Sequence, residues 1–280
     1  MGCGAMGLDS MLDKIPVPRY PVEMIVKRKQ HLYIANGKVD SPFKSVTWYL
    51  DVISKPALVP WATKEALNRV RTLLTGKIEG KSKVIVPITA LWIEELIKES
   101  KALPEKLKTS AADYGTLGHA YADAVIKGKP LPDVPDEMAN TIVSFRDWYA
   151  NCKLQIVMGD TKVCHLKYKY GGSFDALAVD ADGNYVIIDF KTSNGTWPEM
   201  ALQVSAYAAA LKDTYGIWAG RAMIVRFGKA TPDFEVSEVK DIYGSFNAFL
   251  AAKSLKEQLS KGQFKDNEQQ KELENDTSSK

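Results

Sequence analysis

The stretch Gly171–Tyr207 decides the fold and reads GGSFDALAVDADGNYVIIDFKTSNGTWPEMALQVSAY. Two apolar runs rich in β-forming residues are separated by Asp182-Gly183, a dipeptide typical of tight hairpin turns. Pro198 then begins a segment with helical character that extends to about residue 213. The pattern therefore predicts a β-hairpin followed by a helix.

Charged residues accompany both predicted strands. Asp175 lies in the first, and Asp189 and Lys191 end the second with the spacing Asp-x-Lys. Because residues i and i+2 of a strand point to one face, Asp189 and Lys191 should project together, beside Asp175 if the strands pair. A solvent-facing acid and a structural Asp–Lys pair are the alternatives. An acid in an apolar strand is costly unless it is paired or binds a cation.

Together these groups could support phosphodiester hydrolysis. The two carboxylates and the Phe190 carbonyl would form a partial shell for Mg²⁺ or Mn²⁺. Lys191 could orient or deprotonate the attacking water, or stabilise negative charge on the phosphate. The hypothesis is metal-dependent cleavage of nucleic acid, with Asp175, Asp189 and Lys191 as the catalytic residues.

Further polar residues are candidates for supporting roles. Gln203 and Tyr207 are four residues apart, so they share one helix face. They could bind a phosphate, a base edge or the lysine, or be a surface Gln and a buried Tyr. His119 could be a packed core residue, or it could reach the metal or a phosphate. Ser173 and Thr192 adjoin the acids and the lysine and are expected to support the site or bind DNA.

Composition restricts the class of protein. The 280 residues are 45% hydrophobic and 25% charged, which is typical of a globular protein, and no apolar run approaches the roughly 18 residues of a membrane span. Three scattered cysteines (Cys3, Cys152 and Cys164) favour a reducing, intracellular location over a disulfide framework. They cannot supply the four ligands of an iron–sulfur cluster. No membrane partner and no such cluster are expected.

The charge is uneven along the chain. Residues 1–110 have a net charge of +7, which leaves −4 for the remainder because the whole chain carries +3. A basic part beside an acidic, site-bearing part fits a bound polyanion, although an ordinary solvated surface would also explain it. We divide the chain into a basic, mainly helical region (1–109), an α/β core (110–262) and a disordered polar tail (263–280).

Local signals within the first region predict particular elements. Asn36-Gly37 indicates a turn near short strands or a hairpin. Ser45 or Thr47 is a possible helix cap. Separate helices are predicted to begin at Pro87 and near Ser110.

The motifs in combination resemble the PD-(D/E)xK nuclease superfamily, in its RecB-like branch. The segments that carry the resemblance, over roughly residues 40–250, are GTLGHAYAD with His119, GGSFDAL with Asp175, IIDFKTS with Asp189 and Lys191, and LQVSAY with Gln203 and Tyr207. The segments SVTWYL and KPALVPWA are also similar to exonucleases of the mitochondrial genome maintenance type and to phage and bacterial relatives.

The resemblance implies a restriction-endonuclease-like α/β fold, with a central mixed sheet flanked by helices and a helical N-terminal elaboration. It makes Asp175, Asp189 and His119 metal ligands and Lys191 the catalytic lysine, with Gln203 and Tyr207 supporting the site and DNA. Asp160 lies near the place of a further acid in this family.

The implied function is a metal-dependent exonuclease acting on single-stranded DNA ends, with recombination or replication proteins as possible partners. Trp48, Trp61 and Trp92 in the basic region could stack on bases or belong to the core. Two alternatives stay open. One is a structure- or sequence-specific endonuclease on the same core, and the other is a DNA-binding recombination or repair partner with a vestigial site.

Overall fold

The computed structural model describes residues 16–38, 41–53, 58–75 and 89–261, so Cys3 and the predicted disordered tail (263–280) lie outside the described residues. The strands in these ranges are β1 Val22–Lys27, β2 Gln30–Ala35, β3 Phe43–Ser45, β4 Gln155–His165, β5 Tyr170–Val179, β6 Tyr185–Lys191, β7 Arg221–Phe227 and β8 Phe234–Glu238. The helices are α1 Val46–Leu50, α2 Leu58–Thr75, α3 Ala90–Ile126, α4 Ala139–Asn151, α5 Pro198–Tyr215 and α6 Ile242–Ser260.

The strands form one mixed sheet in the order β1-β2-β3-β5-β6-β7-β8, with β4 paired to β5 off this path. β4 follows one edge of β5 along its whole length. The other edge of β5 is shared: β3 pairs in parallel at Tyr170–Gly171, and β6 pairs antiparallel at Ala176–Val179. Between these two pairings lies Gly172–Asp175, where the sheet forks. We call this segment the fork.

Helices cover both faces of the sheet. One hydrophobic cluster joins α1, α5 and α6 to side chains such as Phe174 and Ile187. A second cluster joins α3 and α4 to the opposite face, through residues that include Ile188 and Phe190. The predicted fold, a mixed sheet flanked by helices, is therefore confirmed. Within the described ranges, no helix is both long and apolar enough to cross a bilayer.

The hairpin predicted from Asp182-Gly183 is confirmed, since β5 and β6 pair antiparallel around it. Gly183 has a φ of 85°, which suits glycine. Asp180 Oδ1 accepts hydrogen bonds from the backbone N–H groups of Asp182 and Asn184, at 3.1 and 2.9 Å. The turn is thus fixed by a side chain that precedes it.

The short strands predicted near Asn36-Gly37 are present as the β1–β2 hairpin, which turns at Arg28-Lys29, and Asn36-Gly37 forms a turn directly after β2. Two other local predictions need correction. The two helices predicted from Pro87 and Ser110 are one continuous helix, α3, which contains Pro104 and includes the predicted boundary at 109/110. Proline inside a helix costs roughly 3 kcal/mol relative to alanine. The residues beside Pro104 are good helix formers (Leu, Glu and Lys), and the helix continues through the proline. The runs LQIVMGD and KVCHLKYKY have the composition of two separate strands, but residues 155–165 form one strand, β4, with an irregularity between Ile156 and Met158.

The structure also decides between the two possible caps of α1. Ser45 Oγ accepts a hydrogen bond from the Trp48 N–H at 3.1 Å, whereas Thr47 lies inside the helix. We expect Ser45→Ala to lower the free energy of unfolding by about 1 kcal/mol, because an uncapped N–H is left in a partly buried position. Thr47→Ala should cost clearly less. Urea denaturation of both variants checks this, and equal losses would contradict the assignment of the cap.

Candidate active site

The fork brings the two predicted acids together. The last paired residues of β5 and β6 are Ala176 and Ile188, so Asp175 and Asp189 face each other one step beyond the ladder. There the Phe190 N–H donates to Asp175 Oδ2 at 2.6 Å. A side chain therefore takes a bond that a backbone carbonyl would otherwise accept, and both carboxylates lie where the strands separate.

Lys191 belongs to a chain of polar contacts that leads from β6 to α5. Its Nζ lies 2.5 Å from Asp189 Oδ2 and donates to Gln203 Oε1 at 3.2 Å. Gln203 Nε2 in turn donates to the Tyr207 hydroxyl at 2.9 Å. An ammonium group has three N–H donors. The Lys191 ammonium thus donates to Gln203 and forms an ion pair with Asp189, and it retains N–H groups for water or substrate.

His119 reaches the site from α3. Its Nδ1 lies 2.8 Å from Asp175 Oδ1, so each oxygen of that carboxylate has a protein partner. α3 packs closely on the segment after β6, since a Cβ added to Gly118 would lie 3.4 Å from Thr192 Cγ2. Thr192 therefore lies against the helix that carries His119. Among the described residues, no hydrogen bond joins Thr192 to Asp175 or Asp189.

The Gly171-Gly172 pair allows two tyrosines to lie directly on β5. A Cβ on Gly172 would come within 2.2 Å of Tyr207 Cε1, and a Cβ on Gly171 within 2.4 Å of Tyr33 Cβ. Sequence reasoning assigned no role to Tyr33 and took the glycines only as a strand start. The signal that was available is the pair itself, because glycine within a strand often marks close approach of another group.

Ser173 and Asp160 lie on the side of the fork next to β4. Ser173 Oγ donates to Asp160 Oδ1 at 2.7 Å, and Lys162 Nζ lies 3.3 Å from Asp160 Oδ2. Beside them is a cavity of about 440 Å³. Its polar lining consists of His119, Asp123, Lys129, Asp160 and Asp175. Asp175, Asp160 and His119 thus face one concave space, whereas the buried Asp189 is not part of its lining.

Burial and charge shift the titration of the central groups. Burial raises the pKa of the Asp189 carboxyl, although Lys191 opposes this. For Lys191, burial disfavours the ammonium, but Asp189 and Asp175 outweigh burial and raise its pKa. The charge of Asp175 likewise raises the pKa of His119. We assign the proton of the Asp189–Lys191 pair to the lysine, whose ordinary pKa is far higher.

The donor set fits a two-carboxylate cation site better than a preformed cage. Within the described ranges, no group of three or more His, Cys, Asp or Glu side chains is gathered to hold a metal ion. The assignment of His119, Asp175 and Asp189 as metal ligands stays a prediction. Two facing carboxylates nevertheless suit Mg²⁺ or Mn²⁺, which accept oxygen ligands, and Mg²⁺ usually keeps several waters. The role of the Phe190 carbonyl stays a prediction.

Of the tryptophans predicted to stack on bases, Trp48 already has two lysine side chains against its ring. Its ring is partly buried, and Lys44 Nζ and Lys256 Nζ each lie 5.2 Å from the ring centroid. Trp61 and Trp92 are partly buried on α2 and α3. Sequence reasoning missed Trp197, which is 49% exposed and lies in the segment between Lys191 and α5.

Glu199 is a second residue that sequence reasoning missed. It raises the pKa of Lys191, so its carboxylate lies within electrostatic range of that ammonium. Glu199, Gln203 and Tyr207 recur every four residues on α5 and so share one face. That spacing was visible in the sequence and could have indicated the residue.

Comparison with known families shows what the C-terminal part of the chain resembles. Residues 153–276 match the family model of the PD-(D/E)XK nuclease superfamily, and the matched range contains Asp175, Asp189 and Lys191. This part of the chain is therefore similar to PD-(D/E)XK nucleases. The resemblance inferred from the motifs is thereby confirmed at the level of the superfamily. Nucleases of this superfamily generally use divalent metal ions.

Solved structures resemble this chain only loosely. The SSO0001 structure shares 14% identity with a TM-score of 0.32, and the alignment covers 45% of this chain and 62% of that one. An alkaline exonuclease (LHK-Exo) from Laribacter hongkongensis shares 15% identity with a TM-score of 0.33, covering 78% and 91%. No curated protein matches the sequence significantly. This chain thus spans about 62% of the length of the SSO0001 structure.

Proposed function

We propose that this chain is a PD-(D/E)XK nuclease and, more narrowly, a DNA exonuclease that uses Mg²⁺ or Mn²⁺ and prefers single-stranded ends. The observation that carries the proposal is the Asp189–Lys191 pair, which faces Asp175 at the fork of the sheet. A vestigial nuclease site would have no need to keep a buried lysine and two buried or half-buried acids, because isolated buried charges are costly.

Each side chain has a defined task in this proposal. Asp175 and Asp189 would hold the cation, which supplies charge neutralisation at the phosphate and a more acidic water. Lys191 directs a remaining N–H towards the phosphate and stabilises negative charge there. Gln203 holds the Lys191 ammonium, and His119 holds the Asp175 carboxylate, so neither catalytic group is free to rotate.

Three observations support nucleic acid as the substrate, and one of them favours single strands. Residues 1–110 have a net charge of +7, and the cavity beside the fork includes Lys129. The exposed ring of Trp197 lies in the segment after Lys191, where an unpaired base could stack on it. Duplex DNA keeps its bases stacked on one another, so this ring would favour single strands. We extend the proposal to an intracellular setting with recombination or replication proteins as partners.

The runner-up is an endonuclease with the same active site. The two functions differ in their need for a DNA end, so a circular single strand separates them. We expect end-labelled linear single-stranded DNA to be degraded with Mg²⁺, and circular single-stranded DNA to stay intact. Asp189→Asn should abolish cleavage, because it removes one of the two charged cation ligands.

The matched control for that variant is Asp182→Asn. This carboxylate has the same chemistry but is exposed in the turn at the other end of the β5–β6 hairpin. The Asp182→Asn variant should therefore cleave like the wild type. Cutting of the circle would make the protein an endonuclease, and cleavage by Asp189→Asn would show that another site carries the activity.

A further inference from the structure

The tip of the β1–β2 hairpin is a concentrated positive charge outside the catalytic site. Lys27, Arg28 and Lys29 are consecutive and exposed. Within the described ranges none of the three forms an ion pair, whereas many other surface lysines and arginines do. Unpaired cations on a narrow tip keep their full attraction for a polyanion.

The two central residues of the turn are charged, although other residue types would adopt the required backbone conformation more easily. Arg28 and Lys29 have φ angles of 50° and 63°, so both central residues of this two-residue turn are left-handed. Asn-Gly is the preferred pair in such turns, since most side chains resist that conformation. The chain nevertheless places two long cationic side chains there. Turn formation alone does not explain this choice of residues.

The sheet register places this tip beside the fork. Leu32 of β2 pairs with Lys44 of β3, and Lys44 is level with Tyr170 of β5. β2 runs opposite to β5, so Gln30 comes level with Gly172, and the turn lies one or two residues further along. β3 ends at Ser45, level with Gly171, so the hairpin projects beyond it.

The tip is therefore level with the part of β5 that contains Asp175 and that has no strand partner on the edge shared by β3 and β6. Two strand spacings separate β2 from β5, which amounts to about 10 Å. An extended lysine or arginine side chain reaches across much of that distance. A strand of nucleic acid whose scissile phosphate lies at Asp175 would bring neighbouring phosphates within range of the tip.

We propose that Lys27, Arg28 and Lys29 bind the phosphate backbone of the substrate strand next to the scissile bond. The inference rests on the proposed nuclease function for its choice of ligand. In this proposal the substrate strand passes Gly172–Asp175 between the hairpin tip on one side and the segment after Lys191 on the other. The contact is electrostatic and independent of base sequence, so it contributes affinity and positioning without specificity.

The test is the salt dependence of binding to fluorescein-labelled oligothymidine, measured by anisotropy in EDTA so that no cleavage occurs. The double variant Arg28→Asn with Lys29→Gly removes two charges and supplies the residues this turn prefers, so folding should be retained. The slope of log affinity against log salt should fall in magnitude by about 1.4, at roughly 0.7 per lost contact with a single strand. Affinity at moderate salt should fall about tenfold.

Two further variants test whether the change in slope comes from the charges of the hairpin tip. Lys27→Gln leaves the turn untouched and should lower the slope by about 0.7. Lys153→Gly with Lys240→Gln removes two exposed charges at the opposite end of the sheet, one of them also left-handed, and should leave the slope unchanged.

The outcomes separate this inference from the proposed function. An unchanged slope in the hairpin variants, with cleavage by the wild type intact, overturns the inference and leaves the nuclease assignment standing. A reduced slope in a protein that cleaves nothing supports the hairpin contact and contradicts the exonuclease proposal. A wild type that does not bind the oligonucleotide, or an equal change in the distal control, also overturns the inference.

Discussion

Lys191→Met is expected to lower the rate of phosphodiester cleavage by roughly 10²–10³-fold while DNA binding stays within a few-fold of the wild type. Methionine keeps the length of the side chain but removes the N–H donors that contact Asp189, Gln203 and the proposed phosphate. That interaction strengthens as negative charge develops on the phosphate, so its loss appears in the rate of the chemical step. Single-turnover cleavage with enzyme in excess measures it.

Folding of this variant must be checked beside its activity. Removing one partner of a buried ion pair can cost about 3–5 kcal/mol. Burial already raises the pKa of Asp189, so this acid can take up a proton when its partner is lost, and we expect a smaller loss. Lys240→Met, exposed after β8, is the matched control and should be neutral. Cleavage by Lys191→Met within tenfold of the wild type would remove the lysine from the mechanism.

Much of the site could be predicted because its residues are close in the sequence. Asp175, Asp189 and Lys191 lie on one hairpin whose turn has an unambiguous signature, so their proximity follows from local rules. Gln203 and Tyr207 share a face of the next helix for the same reason. The contact between His119 and Asp175 joins residues far apart in the chain, and only the family resemblance placed them together.

The fork could not be predicted, because it depends on pairing between distant strands. β3 lies more than a hundred residues before β5 and takes only two positions on its edge. No periodicity in the sequence shows that β3 and β6 share one edge of β5. The Arg28-Lys29 turn itself has no Asn or Gly, so it lacks the local signature that Asn36-Gly37 carries.

Gly172→Ala tests the packing that holds this site, and we expect a loss of about 3 kcal/mol in the free energy of unfolding. The added methyl would lie 2.2 Å from Tyr207 Cε1, and this tyrosine is 4% exposed, so its ring has little room to move. Gly220→Ala is the matched control, since a Cβ there meets nothing within 4 Å and the backbone is not left-handed. It should be neutral or slightly stabilising. Urea denaturation compares the two.

A double variant distinguishes the clash with Tyr207 from a general intolerance of β5 for any side chain at position 172. Tyr207→Ala alone should cost about 3–5 kcal/mol through the cavity it leaves. Combined with Gly172→Ala, the total should be well below the sum, because the methyl then fills space that the ring has vacated. Additive losses would show that the glycine is needed for some reason other than the tyrosine. Because the Tyr207 hydroxyl accepts from Gln203, which holds Lys191, any Gly172→Ala protein that still folds should also cleave more slowly.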